Sequence, residues 1–241
     1  MAMQDSRGLI RGVVGNLVFR VMNGKQVVQQ RSKVDIVPKR TLENANLFGI
    51  CSKQAAIVRT KLKPWLGMNY DSKMPVRLQA GCYKILKSKE NQKREIGDLF
   101  SANLSGLSGF EFNVNSPFSK YFISDLNVSG DLKIGLKVYL SSLETLYDLR
   151  YPKDCESVDL HLIMLHIPKG NVSGCIVETI QWTLLKNKQT QEERSFQTRP
   201  IQTEGITLVI AQLLFFNSRS QFGKVYVNNK KLHPMKIVYA R

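Results

Sequence analysis

Two short β-rich runs stand near the start of the chain, at 17–22 and 25–30, and the first is apolar except for Arg20. They are separated by Asn23-Gly24, the preferred connection of a two-residue β-hairpin, because both turn positions adopt positive φ. Since side chains alternate along a strand, Phe19 and Arg20 point to opposite faces. The pattern therefore predicts a β-hairpin with one better-buried face.

The next periodic segment has the three- and four-residue spacing of an amphipathic helix. Thr41 is suited to the N-cap, Glu43 falls in the first turn, where the helix dipole favours an acid, and Pro64 marks a stop. We predict a helix over 42–63. Its apolar stripe comprises Ala45, Phe48, Cys51 or Ser52, Ala55, Val58, Leu62 and Leu66.

Residues 67–118 give weaker signals, and they predict loops around one short strand at 110–114. From residue 121 onward, β-rich runs are separated by turn residues, which is typical of an antiparallel sandwich. These runs are 121–128, 132–140, 158–166, 175–185, 206–216, 225–228 and 236–239.

The predicted fold is mainly β and α+β overall. It consists of an N-terminal β-hairpin and one long amphipathic helix, followed by an antiparallel β-sandwich. We predict three regions: a basic hairpin-and-helix module at 1–70, a loop-rich connector at 71–118 and the sandwich domain at 119–241.

Charge changes this picture, because it is unevenly distributed. The 241 residues carry a formal net charge of +16. Residues 1–100 contain 19 Lys and Arg against 7 Asp and Glu, whereas the remaining 141 residues contain 16 against 12. Such an asymmetry predicts a polyanionic partner for the N-terminal part. The alternative is a solvated surface, or one that faces acidic neighbours in an assembly.

The basic residues cluster around the hairpin, where only Asp5 and Asp35 oppose them nearby. An extended basic segment can follow a phosphate backbone, and few aromatic side chains are present for base stacking, so we expect contact with the backbone rather than the bases. The candidate polyanion-binding residues are Arg7, Arg11, Arg20, Lys25, Arg31, Lys33, Lys39 and Arg40.

The order of these features resembles a family of uncharacterised proteins from the Bacteroidota. Members share a glycine-rich basic hairpin, a second strand that ends in Arg, a Pro-x-x-Thr helix start and a C-terminal β domain. Here Arg31 ends the second strand, and Pro38 and Thr41 start the helix. The chain departs from that pattern at Asn44 and Phe48, where the family usually has Gln and Arg. The resemblance implies architecture and lineage, and it transfers no catalytic residue.

Signs of enzymatic chemistry are weak. The cysteines, at 51, 82, 155 and 175, lack zinc-binding spacing. Four cysteines could form two disulfides, but without a secretion signal we expect buried, reduced thiols. Asp159, His161 and His166 are the only candidates for a metal or acid–base site. However, the strand parity of the two histidines sends them to opposite faces. We expect no cofactor, no metal and no enzymatic activity.

Three hypotheses remain. The first is a non-enzymatic protein that binds structured RNA or DNA, with the ribosome as one candidate site of action. The second is a structural or cargo subunit of a large protein assembly, such as a phage-tail-like, injection or secretion machine. The third is an enzyme built around Asp159 and His161. The N-terminal sequence lacks the apolar stretch of a secretory signal, so a cytoplasmic location is expected, with no membrane partner.

Overall fold

A computed structural model describes residues 2–31, 37–88, 91, 97–186, 190–220 and 223–241, and the side chains of 218–220, 223 and 224 are outside this description. The chain divides into two compact units, Met1–Asn44 and Ala45–Arg241. We call them the N-terminal and C-terminal units. The helices are α1 (Lys39–Leu66), α2 (Met74–Leu86) and α3 (Phe118–Tyr121).

The N-terminal unit contains a four-stranded antiparallel sheet in the order β1-β2-β3-β4. Its strands are β1 (Met3–Gln4), β2 (Ile10–Val14), β3 (Leu17–Met22) and β4 (Lys25–Gln30). Asn23 has φ 50° and Gly24 has φ 76°, as a two-residue hairpin of the predicted kind requires. The predicted hairpin is therefore confirmed, and two further strands extend it.

Helix α1 begins earlier than predicted. The helix starts at Lys39, and the backbone N–H of Thr41 donates to the carbonyl of Pro38 at 2.8 Å. Thr41 is thus inside the first turn and is not the N-cap, and Glu43 lies beyond that turn. The carbonyl of Pro38 also accepts from the N–H of Leu42 at 3.2 Å, so Pro38 holds the N-cap position that the prediction gave to Thr41.

The same helix also continues past the predicted stop. Pro64 lies within the last turn, and the helix continues for two residues beyond it. The helix ends where Gly67 adopts φ 53° and donates its N–H to Lys63 at 2.9 Å. Five residues of the predicted stripe are buried, while Phe48 is exposed: the buried residues are Cys51, Ala55, Val58, Leu62 and Leu66.

The segment predicted to be loop-rich contains helix α2, which the sequence pattern missed. Pro75 stands in its first turn and Gly81 in its interior, and both residues weaken a helical signal. The short strand predicted at 110–114 is also wrong. It is reduced to a single β-bridge between Glu111 and Lys236.

The C-terminal unit is built around a five-stranded antiparallel sheet, in which β12 pairs with β8 along one side and with β13 and β14 along the other, and β9 pairs with β8. Its strands are β8 (Ser157–Pro168), β9 (Ile176–Leu185), β12 (Gly205–Ser220), β13 (Gly223–Tyr226) and β14 (Met235–Ala240).

A three-stranded sheet in the order β11-β6-β5 faces this large sheet, and β7 pairs with β10 in a small ribbon. The strands are β5 (Leu126–Asp131), β6 (Gly135–Leu140), β7 (Leu143–Glu144), β10 (Thr190–Gln191) and β11 (Arg194–Gln197). Strand β5 starts later than the predicted 121, because α3 occupies Phe118–Tyr121. The turn between β5 and β6 lies at 132–134, whereas the predicted runs leave it at 129–131.

Both faces of the large sheet are covered. One face packs against α1 and α2, with Ile163 and Leu165 of β8 in this cluster. The other face packs against the small sheet, with Leu162 and Met164 of β8 beside Val138. The protein is thus mainly β, with an antiparallel sandwich that carries a helical layer on its outer face.

Candidate polyanion-binding surface

Seven of the eight predicted polyanion-binding residues lie in the described part of the chain, and all seven are exposed. Lys33 lies outside the described residues. The seven occupy the β1–β2 turn, three strands, the end of β4 and the first turn of α1. In chain order they are Arg7, Arg11, Arg20, Lys25, Arg31, Lys39 and Arg40.

Strand register decides which of these side chains share a face. Gly12 pairs with Phe19, so the next position along the ladder brings Arg11 level with Arg20. Met22, two residues beyond Arg20, pairs with Lys25. Paired residues and residues two apart point to the same side of a sheet. Arg11, Arg20 and Lys25 therefore project from one side, which we call the basic face.

A depression of about 600 Å³ lies at the end of this sheet, and Arg7 and Arg11 both line it. Asp5, which also lines it, accepts hydrogen bonds from the backbone N–H groups of Leu9 and Arg7, each at 3.0 Å. These bonds, the one from Leu9 foremost, hold the pKa of Asp5 below its ordinary value. The carboxylate is thus engaged by the backbone of its own turn, while the two guanidinium groups remain exposed.

The opposite side of the same sheet carries no charged side chain, and we call it the apolar face. Its members, by the same register, are Ile10, Val14, Leu17, Phe19, Val21, Gln26, Val28 and Gln30, with Gly12. Val14, Leu17 and Val28 are 54%, 43% and 49% exposed. Phe19 and Val21 are half-buried, and no described residue from 2 to 44 is fully buried. The expected better-buried face is therefore only partly covered.

Gln26 closes one end of the sheet. Its side-chain amide accepts from the N–H of Ile10 at 2.7 Å and donates to the carbonyl of the same residue at 2.8 Å. It also donates to the carbonyl of Arg20 at 3.1 Å. The side-chain amide thus supplies backbone hydrogen bonds at the point where the β2–β3 pairing ends. It links the backbone of β2 to that of β3 beside Arg11 and Arg20.

Asp159, His161 and His166 do not form one cluster. Asp159 is buried and accepts from Gln181 at 2.7 Å, and burial lowers the pKa of His161 on the same strand face. His166 faces the other side of β8, and its ring nitrogens contact the hydroxyls of Thr207 and Thr203, each at 2.9 Å. Within the described ranges, no group of three or more metal-binding side chains is found.

A buried polar network surrounds His233, and no sequence pattern predicts it. The amide of Gln212 donates to the carbonyl of Trp65 and lies 2.9 Å from Nε2 of His233. Nε2 must accept this bond, so the imidazole is neutral. Burial lowers the pKa of His233 to about 4, in agreement with this assignment. Gln212 and His233 come from separate strands and loops, so no local pattern joins them.

The cysteines have a packing role. Cys51, Cys82 and Cys155 are buried, Cys175 is half-buried, and all four are free thiols. Burial raises the pKa of Cys82 to about 12, which makes a reactive thiolate unfavourable.

Two comparisons with known proteins return no match. No protein-family model matches the chain, and no curated protein matches it significantly. The resemblance to the Bacteroidota family stays a prediction. Among the described residues, no helix combines the length and apolar character needed to cross a membrane.

Proposed function

We propose that the protein is a non-enzymatic binding protein whose N-terminal unit contacts the phosphate backbone of a structured nucleic acid, with RNA as the first candidate. The observation that carries this proposal is the basic face, where the register aligns Arg11, Arg20 and Lys25 on exposed strands. The proposal also includes a role on the ribosome and a cytoplasmic location.

The chemistry of the face favours backbone contact over base reading. Arginine binds phosphate through two parallel hydrogen bonds, and Arg7 and Arg11 line one depression. The only aromatic side chain of the sheet, Phe19, belongs to the apolar face, so the basic face offers no ring for base stacking. Binding should therefore depend on salt more than on sequence.

The test measures binding to a fluorescent RNA hairpin and a DNA duplex of mixed sequence between about 50 and 200 mM salt. The triple variant R11Q/R20Q/K25Q should flatten the slope of log K against log salt by up to about 3, because each duplex phosphate contact contributes about 0.9. The variant K120Q/K133Q/K137Q removes the same charge from exposed positions elsewhere and should keep the wild-type slope. Absence of binding at low salt would refute the proposal.

A second function is favoured by the apolar face, which is uncharged and incompletely covered. We propose as the alternative that this face packs against a subunit of a larger protein assembly, since exposed apolar patches are typical of protein interfaces. The double variant L17K/V28K should then release the protein from the complex in which it is purified from its native source. R11Q/R20Q/K25Q should remain bound. A protein that is monomeric at every concentration and purifies alone contradicts this alternative.

A further inference from the structure

The helical layer of the C-terminal unit is strongly and almost uniformly basic. Residues 45–87, which include the α1 portion of this unit and all of α2, contain eight Lys and Arg and a single acidic residue, Asp71. Lys53 and Lys63 of α1 and Lys84 of α2 are exposed. Within the described residues, no ion pair is found for these three lysines. We call them, together with exposed Lys73, the helical basic surface.

The single acid of this layer does not offset the charge at the surface. Asp71 is 7% exposed and is paired with Arg77. It also accepts from the backbone N–H groups of Lys73 and Val114. Its charge is therefore balanced by Arg77 within the unit. The lysines face solvent, and residues 45–87 contain no other carboxylate that could pair with them.

The opposite side of the same unit has no comparable excess. Residues 118–151, which form α3 and strands β5 to β7, contain four basic and four acidic residues. Residues 190–204, which include β11, contain two basic and three acidic residues. The large sheet separates the two layers, because its two faces belong to different hydrophobic clusters. The unit is thus electrically asymmetric, and such an asymmetry orients a protein toward a polyanion.

The lysines are placed on a rigid support. Lys53 and Lys63 are ten residues apart on α1, which corresponds to roughly 15 Å along the helix axis. Tyr83 of α2 contacts Phe48 of α1 edge to face, at 6.1 Å between ring centroids, and Lys87 lies over the ring of Tyr83. The C-terminal end of α2, which bears Lys84, therefore runs beside α1. A surface of this length meets several phosphates of a duplex, whose axis carries one charge per about 1.7 Å.

We infer that the helical basic surface is a second docking surface for a nucleic-acid backbone, separate from the basic face of the N-terminal unit. This inference rests on the proposed function for its class of ligand. A nucleic acid suits the surface better than an acidic protein does, because lysine is depleted from protein interfaces and is a standard phosphate contact.

The experiment uses the full chain and compares three triple variants on the same RNA hairpin and DNA duplex. K53Q/K63Q/K84Q removes charge from the helical basic surface, R11Q/R20Q/K25Q removes it from the basic face, and K120Q/K133Q/K137Q is the matched control. We expect each of the first two to flatten the salt slope by up to about 3, and the control to leave it unchanged. Circular dichroism and thermal melting verify that every variant folds.

The outcomes separate the two claims. If only R11Q/R20Q/K25Q flattens the salt slope, the second surface is refuted and the proposed function stands. If only K53Q/K63Q/K84Q flattens the salt slope, the second surface stands and the proposed N-terminal function is wrong. If neither variant differs from the control, or the wild type binds neither probe, both claims fail. Binding of the wild type to an acidic protein of the native source that K53Q/K63Q/K84Q no longer binds, with nucleic-acid binding equal in the two, would also overturn the inference.

Discussion

The guanidinium group of Arg77 pairs with the carboxylate of Asp71 and also donates to the backbone carbonyl of Glu111 at 2.9 Å. It lies over the ring of Phe110, 5.0 Å from the ring centroid. One arginine on α2 thus ties together the loop before its own helix and the segment that bridges to β14. The pair neutralises the only acid of the helical layer.

Removing either partner of this pair should destabilise the protein. Asp71→Asn leaves Arg77 without its charged partner, and we expect a loss of about 2 kcal/mol in the free energy of unfolding. Urea unfolding measures this change. Lys84→Gln, an exposed substitution on the same helix, should change the free energy by less than about 0.5 kcal/mol. Equal losses for the two variants would contradict the structural role of the pair.

The same pair predicts part of the response to acid. Burial raises the pKa of Asp71, but the hydrogen bond from Arg77 and those from the backbone outweigh it, so the pKa is lower than the ordinary 3.8. A lowered pKa contributes stability that is present above pH 3.8 and is lost as pH falls through the folded-state value. The stability of Asp71→Asn should therefore depend less steeply on pH below about 4 than that of the wild type.

His233 predicts a separate acid response at higher pH. Its pKa is about 4 in the folded protein against the ordinary 6.5, so only the unfolded chain takes up this proton between these values. Stability should be full above pH 6.5 and fall by up to about 3 kcal/mol as pH decreases to about 4.

Unfolding of His233→Gln measures this contribution, with the wild type as reference. The variant loses the buried imidazole and should be less stable at pH 7, but its stability should decline less between pH 6.5 and 4. His161 and His166 also have lowered pKa values, so a residual decline is expected. Parallel pH curves for the variant and the wild type would rule out His233 as a source of acid sensitivity.

The N-terminal sheet should depend on its turn. Gly24 has φ 76°, a conformation that costs a residue with a Cβ about 1–2 kcal/mol. Gly24→Ala should therefore speed amide hydrogen exchange in β3 and β4, whereas Asn23→Gly should not. If the basic face binds nucleic acid, Gly24→Ala should also weaken that binding. Unchanged exchange in Gly24→Ala would contradict the assigned turn.

Local signals in the sequence were sufficient for the hairpin and for the long helix, because Asn23-Gly24 and the stripe from Cys51 to Leu66 act through neighbouring residues. They do not show the features that depend on tertiary contacts. Apolar residues occupy successive positions of β8 because both faces of this strand are buried. The pattern therefore does not indicate which layer each side chain packs against. The register that aligns Arg11 with Arg20 depends on pairing between strands. The sequence alone placed both residues among the candidates for polyanion binding, but it did not show that they share a face.

Two glycines should respond to alanine in opposite directions. A Cβ at Gly205, where β12 begins, would lie 2.2 Å from the carbonyl oxygen of Ile167 and 2.9 Å from Cε1 of His166, so the backbone of β8 must move to admit it. Gly205→Ala should lower the free energy of unfolding by about 1–3 kcal/mol, the usual cost of overpacking.

Gly49 lies inside α1, and nothing stands within 4 Å of a Cβ added there. Gly49→Ala should instead raise the free energy of unfolding by up to about 1 kcal/mol, since alanine loses less conformational freedom in a helix. Urea unfolding of both variants provides the comparison, and each serves as the control for the other. Stabilisation by Gly205→Ala would contradict the close approach of β12 to β8, because that contact leaves no space for a methyl group.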